Sequence, residues 1–311
     1  MIRSLVSAFA ALFLLVLAPT AVAQKRIALT FDDTPRAAGA FFTPQERAKR
    51  LIASLKKAQV EQAAFFVNPG KVQSPADEAL VANYVRAGHV IANHSFSHPH
   101  LNQLTADAYL ADIDKAEAWL APRPGHRPWF RYPFLDEGGK DKAKRDAVRA
   151  GLAARGLTNG YVTAEGSDWN IETLTVEAKK AGKTIDMAAL RDLYVETHVE
   201  AAEFADGLMV KTISRSPVHV MLLHETDIAA LYIGDLVAGL RAKGWEIVTA
   251  DVAYADPLNT AAPDVPSANG TLTELLAWEK GLPAPRWYAR NDIKLANRLF
   301  AERVLHEASA E

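Results

Sequence analysis

Cysteine is absent from the whole chain. That absence excludes disulfides, a thiol nucleophile and thiolate metal ligands, so the fold must be held by its core alone. No G-x-S-x-G elbow occurs either, which ranks a serine hydrolase last among the readings. Neither sign of charge is in excess: 35 basic and 37 acidic residues leave a formal net charge of -2. No broad basic surface therefore marks a nucleic-acid partner, and no acidic bias marks disorder. No internal repeat or low-complexity tract is present, and specificity must come from a local site.

The first residues, MIRSLVSAFAALFLLVLAPTAVAQ, carry one charge, Arg3, then an apolar run from Leu5 to Ala18, then Pro19 and the small triplet Ala21-Val22-Ala23. This is the pattern of a secretory signal peptide over 1–23, cleaved at A-x-A to leave Gln24 first. A membrane anchor is disfavoured because the run is shorter than the ~20 residues a bilayer span needs. The mature chain is thus expected to be exported, periplasmic or secreted, with no stable membrane span.

After the leader, short apolar runs alternate with longer amphipathic stretches, the signature of βαβ units around a parallel sheet or barrel. Strands are predicted at 25–31, 63–67, 89–93, 128–131, 159–163, 218–223 and 246–250. Helices are predicted at 44–59, 76–87, 105–121, 141–155 and 228–243, several ending near a glycine such as Gly88, Gly156 or Gly244. In the third of these, Leu110, Ile113, Ala116 and Leu120 recur at helical spacing behind Thr105, Asp107 and Asp112. The expected fold is α/β, a distorted (β/α) barrel of about seven parallel strands spanning 24–255. A helical insertion, split near Gly182, occupies 173–207, and a C-terminal helical extension, 256–311, straps across the domain.

In such folds the reacting groups gather where strands end. Those ends read "TFDD", "NHSFSHPH", "RYPF", "GSDWN" and "LLHET". His94 and His98 are four apart, which on a helical turn, ended by Pro99, would set both imidazoles on one face. Alone the pair is weak evidence, but a carboxylate from another strand end completes a two-His, one-carboxylate set, the usual protein share of a catalytic metal site. Asp32 and Asp33 offer it. Neighbouring strand residues face opposite ways, so both can serve one site only where the chain leaves the strand, at Thr34-Pro35. A bound dication would stabilise one carboxylate as ligand and leave the other to accept a proton.

These motifs, in this order across about 27–249, resemble the polysaccharide deacetylases with a NodB homology domain, carbohydrate esterase family 4. The resemblance implies that Asp32 is the general base and that Asp33, His94 and His98 hold one divalent metal ion. Zinc is the default for such ligands, with cobalt and nickel as alternatives. It implies that Arg131 orients Asp32, that the Phe134 backbone N–H helps bind the oxyanion, and that His224 is the general acid, tuned by Asp168. Pro133, Trp169 and Leu222 would line the groove and the acetyl pocket. His100 is the reserve ligand. The family usually has glycine where Thr34-Pro35 follows the aspartates here, and "RAAGAFFTPQERA" delays the next helix, so the loop over the site is expected to differ. The expected partner is an N- or O-acetylated polysaccharide or oligosaccharide, deacetylated by hydrolysis. The competing expectation is a non-catalytic glycan-binding envelope protein on the same scaffold, although binding alone needs no base.

Overall fold

A computed structural model describes residues 24–308, and the predicted leader lies outside the described residues. β1 (Arg26–Thr34), β2 (Ala64–Val67), β3 (Val90–Asn93) and β4 (His126–Phe130) alternate with α1 (Pro44–Lys57), α2 (Pro75–Arg86) and α3 (Ala106–Leu120). A short β5 (Asp136–Gly139) and α4 (Lys142–Ala154) lead to two-residue pieces β6 (Thr158–Asn159) and β7 (Ala164–Glu165). Next come α5 (Asp168–Lys180), α6 (Met187–Ile213), β8 (Val218–His224), α7 (Asp227–Ala242), β9 (Glu246–Ile247) and α8 (Ala250–Tyr254). Last are β10 (Ala268–Asn269), α9 (Leu272–Glu279) and α10 (Ile293–Val304). Gly88, Gly156 and Gly244 take positive φ just past α2, α4 and α7, the left-handed exits their sequences predict.

The main sheet runs β6-β4-β3-β2-β1-β8-β7, with every pairing parallel. β9 pairs with Arg26 and Ile27 at the foot of β1, while β2 takes the same strand higher up, from Thr30. The expected distorted barrel is therefore present, with helices outside it. Two strands are corrected. The predicted fifth strand, 159–163, is broken: β6 lies beside β4 and β7 beside β8, at opposite edges of the sheet, and the four residues between them bridge those edges. The reason lies inside the barrel, where the carbonyls of Gly160 and Tyr161 accept from Arg131 rather than from a neighbouring strand. Gly160 also passes so close to Phe66 that a Cβ there would lie 2.6 Å from its ring. The predicted seventh strand, 246–250, is only two residues long, because Thr249 caps α8 and residue 250 is already helical.

Two-residue periodicity sorts each strand. On β1, Ile27, Leu29 and Phe31 face the helices and belong to the larger apolar cluster, while Ala28 belongs to the barrel interior with Ala64, Phe66, Val90, Ala92, Trp129 and Val220. Phe65, facing outward, stacks between Phe31 at 4.9 Å and Tyr84 of α2 at 3.8 Å between centroids. Such pairs add about 0.5–1.5 kcal/mol each beyond the area they bury. α3 is amphipathic as predicted, capped by Thr105, except that Tyr109 rather than Leu110 takes the fully buried position. The insertion forms the two expected helices, α5 and α6. The extension lies against the barrel: β10 pairs antiparallel with β5, and α10 packs on α5 and α6. Among the described residues no helix is long and apolar enough to cross a membrane.

Candidate active site

Extending the inward alternation of each strand by one or two residues reaches Asp32 on β1, His94 after β3, Arg131 after β4, and Leu222 and His224 on β8. All five therefore converge on the carboxyl end of the barrel. Asp32 stands directly beside His224 in the ladder. Asp33 would point outward on a regular strand. Instead its φ is 66° and the β1–β2 register shifts between Phe31 and Thr34, so its carboxylate turns to the same side as that of Asp32. Thr34-Pro35 is cis.

The histidine pair is not on a helical turn, which corrects the sequence expectation. Residues 94–99 are a loop in which Ser95 and His98 are left-handed, with φ of 64° and 59°. Side chains clamp this loop. The Asn68 amide donates to the carbonyls of His94 and Ser95, and Asp112 of α3 accepts from the backbone N–H groups of Phe96 and Ser97. The Ser95 hydroxyl accepts from the His98 N–H at 3.0 Å. This brings the two imidazoles to 4.9 Å between centroids.

One ligand atom from each of Asp33, His94 and His98 lies within 4.8 Å of the other two, a group that could hold a metal ion. Asp33 Oδ1 is 3.1 Å from His98 Nε2 and 3.9 Å from His94 Nε2. The His94 Nδ1 faces the Arg131 carbonyl at 2.9 Å; donating there leaves the Nε2 lone pair toward the carboxylates. Burial pushes His94 and His98 each down to about 3, so both are neutral at pH 7. Burial opposes charge on Asp33 too, but nearby positive groups, His224 and Lys71 foremost, hold its carboxyl far below the usual range. Two neutral imidazoles and an ionised carboxylate are the donor set a divalent cation requires, so the residues fit such an ion.

Asp32 is buried, and burial raises its pKa against the pull of Arg131. Arg131 is wholly buried as well. Its Nη1 donates to Asp32 Oδ1 at 2.6 Å and to the Thr30 hydroxyl at 2.8 Å, its Nε to the Gly160 carbonyl at 2.7 Å, and its Nη2 to the Tyr254 hydroxyl at 2.6 Å. The guanidinium lies over the Phe66 ring, 3.8 Å from its centroid. On the other side, Asp168 at the start of α5 receives the His224 backbone N–H at 2.7 Å and meets His224 Nδ1 at 2.7 Å. Burial works against a charged His224, yet Asp168 outweighs it and the pKa of His224 is raised.

A cleft of about 560 Å³ opens above these groups, with Phe134, Trp169 and Leu222 in its lining. Phe134 is left-handed at φ 57° and 54% exposed, and its ring stacks on His100 at 3.6 Å. Pro133, expected in the groove, is buried and absent from that lining; the turn at Phe134 puts the following side chain on the cleft instead. His100 is thereby occupied by Phe134 and Asp136, while His98 fills the position beside Asp33.

Other cleft residues escaped the sequence reading. Arg36, in the loop expected to differ, pairs with Asp33 Oδ2 at 2.5 Å, and Lys71 pairs with Oδ1 at 3.1 Å. The loop is tied down by Asp227, which accepts from the N–H groups of Phe41 and Phe42, and by Arg47, which donates to the carbonyls of Arg36 and Ala37. Glu165, Thr173, Gly270, Thr271, Glu274 and Asn291 line the far side. Only a capping-box pattern at Thr271 and Glu274 was visible in the sequence, and it signals a helix start, not a cleft.

This (β/α) barrel gathers paired aspartates, paired histidines and a histidine–aspartate couple at its carboxyl end, and comparison with known proteins shows what it resembles. Residues 20–154 match the family profile described as polysaccharide deacetylase. A peptidoglycan-N-acetylglucosamine deacetylase of Bacillus cereus is 35% identical over 114 residues, 37% of this chain and 38% of the relative. One from Listeria monocytogenes is 26% identical over 243 residues, 77% of this chain and 41% of the relative. A chitin deacetylase of Colletotrichum lindemuthianum is 25% identical over 237 residues, 74% of this chain and 79% of the relative. The matched region spans about two fifths of the length of the two bacterial relatives. The solved structure of the chitin deacetylase from Colletotrichum lindemuthianum shares the fold, with a TM-score of 0.53 at 19% identity over 76% of this chain and 92% of that one. Residues 20–154 thus carry the match to the polysaccharide deacetylase family.

Proposed function

We propose that the protein is a metal-dependent hydrolase that removes acetyl groups from an N- or O-acetylated glycan outside the cytoplasm. The observation that carries this reading is the placement, at the foot of one cleft, of a three-ligand metal group, a buried aspartate held by an arginine, and a histidine held by a second aspartate. A divalent cation, zinc by default, held by Asp33, His94 and His98 would polarise the acetyl carbonyl and acidify a water. Asp32, aimed and counter-charged by Arg131, takes the proton of the attacking water. The Phe134 backbone N–H donates to the oxyanion as it develops. His224, kept protonated by Asp168, gives its proton to the leaving amine or alkoxide. Leu222 receives the methyl group, and Trp169, 40% exposed, offers a face to a sugar ring.

Acetate release from a panel of acetylated chitin oligomers, peptidoglycan and xylan, with and without chelator, tests the reading. Release should stop on chelation and return with zinc, cobalt or nickel. Release unaffected by complete removal of divalent ions sinks the metal role, and no release from any member favours the glycan-binding alternative.

The raised pKa of His224 also sets a pH dependence. An acid must be protonated, so kcat/KM should fall as pH rises through that pKa. Because Asp168 is what raises it, Asp168→Asn should move this alkaline limb to lower pH. A limb left in place would remove His224 as the acid.

A further inference from the structure

The cleft does not end at the catalytic groups. At about 560 Å³ it falls within the roughly 300–1,000 Å³ of a typical small-ligand pocket, more than an acetyl group needs. One of its walls is not made by the barrel. That wall comes from the extension, through Gly270, Thr271, Glu274 and Asn291.

The wall is fixed in place. The Leu272 N–H donates to the Val162 carbonyl and the Thr273 hydroxyl to the Thr163 carbonyl, each at 2.8 Å, so the start of α9 is tied to the segment that bridges the barrel edges. Asn291 donates to the Glu165 carbonyl at 3.1 Å, fastening the far end of the strap to β7. Within the capping box of α9, Glu274 Oε2 accepts from the Thr271 N–H at 2.7 Å. Gly270 has φ of 104°, and a Cβ there would fall 2.1 Å from that same oxygen, so the backbone bares itself to seat the carboxyl. A side chain already ordered loses little entropy on binding.

We propose that the C-terminal extension builds the subsite for the sugar unit adjoining the acetylated one, with Glu274 bonding that sugar's hydroxyls while Trp169 of α5 packs on a ring face. This rests on the glycan reading above and specifies where chain length is recognised. Hydroxyls suit the carboxyl better than a cation does. Burial, helped by the neighbouring Glu165, raises Glu274 to about 7, so near neutral pH it both donates and accepts, matching groups that do the same. Glu274 is a specificity residue with no part in the proton transfers.

The test compares metal-loaded Asp32→Asn with Asp32→Asn/Glu274→Gln by calorimetry, using the N-acetylglucosamine tetramer and monomer as probes. Glutamine preserves the capping box. With its amide oxygen kept on the Thr271 N–H, the new glutamine can donate to a sugar hydroxyl but no longer accept from one, so the double variant should bind the tetramer about tenfold more weakly, with monomer affinity unchanged. Equal tetramer affinity in the two proteins overturns the proposal. So does an equal loss for both probes, which would make Glu274 a support of the fold, and so does a parent protein that does not bind the tetramer. Binding needs no turnover, so a wild type that releases no acetate sinks the hydrolase reading and leaves this comparison readable.

Discussion

Asp32→Asn should lower turnover of an acetylated oligosaccharide by about 10²–10⁴-fold and leave the metal content of the protein unchanged. Asparagine keeps the shape of aspartate and can still accept a hydrogen bond from Arg131, so the buried contact at 2.6 Å is weakened without opening a cavity. What it cannot do is take a proton from water. The three proposed metal ligands are untouched. Acetate release and elemental analysis on the same preparation separate the roles of the two aspartates. Turnover equal to wild type would strip Asp32 of its role, and loss of the metal along with turnover would make Asp32 a ligand.

Arg131→Met should be the most destabilising single change at the site, costing about 3–5 kcal/mol, because it leaves a buried carboxylate without its counter-charge. The Thr30 hydroxyl, the Tyr254 hydroxyl and the Gly160 carbonyl lose a partner in the same step. Methionine fills much of the volume and can rest on Phe66, so the effect reads charge more than packing. The pH dependence has a definite sign. Burial already raises Asp32 above its unfolded value, and removing the guanidinium raises it further. A carboxyl raised in this way is most favourable to the fold at low pH, below its unfolded pKa, and that advantage is lost as pH rises through the folded value. The deficit of Arg131→Met against wild type should therefore shrink as pH falls toward 4 and widen toward 7. Denaturant unfolding at several pH values measures it, and a pH-independent deficit would mean that the arginine acts by packing alone.

The residues that follow each strand made most of this site legible in the sequence. Once β1, β3 and β8 are placed, a two-residue period sends Asp32, His94 and His224 to one side, and strand ends are where such groups collect. The doubling of aspartate at the end of β1 pointed to a break in that period, and the left-handed Asp33 with its shifted register is that break. The four-residue spacing of the histidines misled as to conformation, because a helical turn and a clamped loop both bring i and i+4 together. Only Asn68 and Asp112, remote in the chain, decide for the loop.

The far wall of the cleft was not legible at all. Glu274 and Asn291 lie in a stretch whose pattern specifies only capped helices and turns, more than two hundred residues from Asp32. They reach the cleft because β10 pairs with β5 and the Leu272 N–H of α9 bonds the Val162 carbonyl in the segment bridging the barrel edges, pairings between backbone groups that carry no side-chain signature. The broken fifth strand has the same origin, since Arg131 draws off carbonyls that a regular ladder would have used. Thus the order of residues along the strands determined which side chains face the cleft, because side-chain direction is a local property of extended backbone. Which segments close the barrel and wall the cleft was decided in three dimensions, by competition among buried donors and acceptors that meet only after the chain has folded.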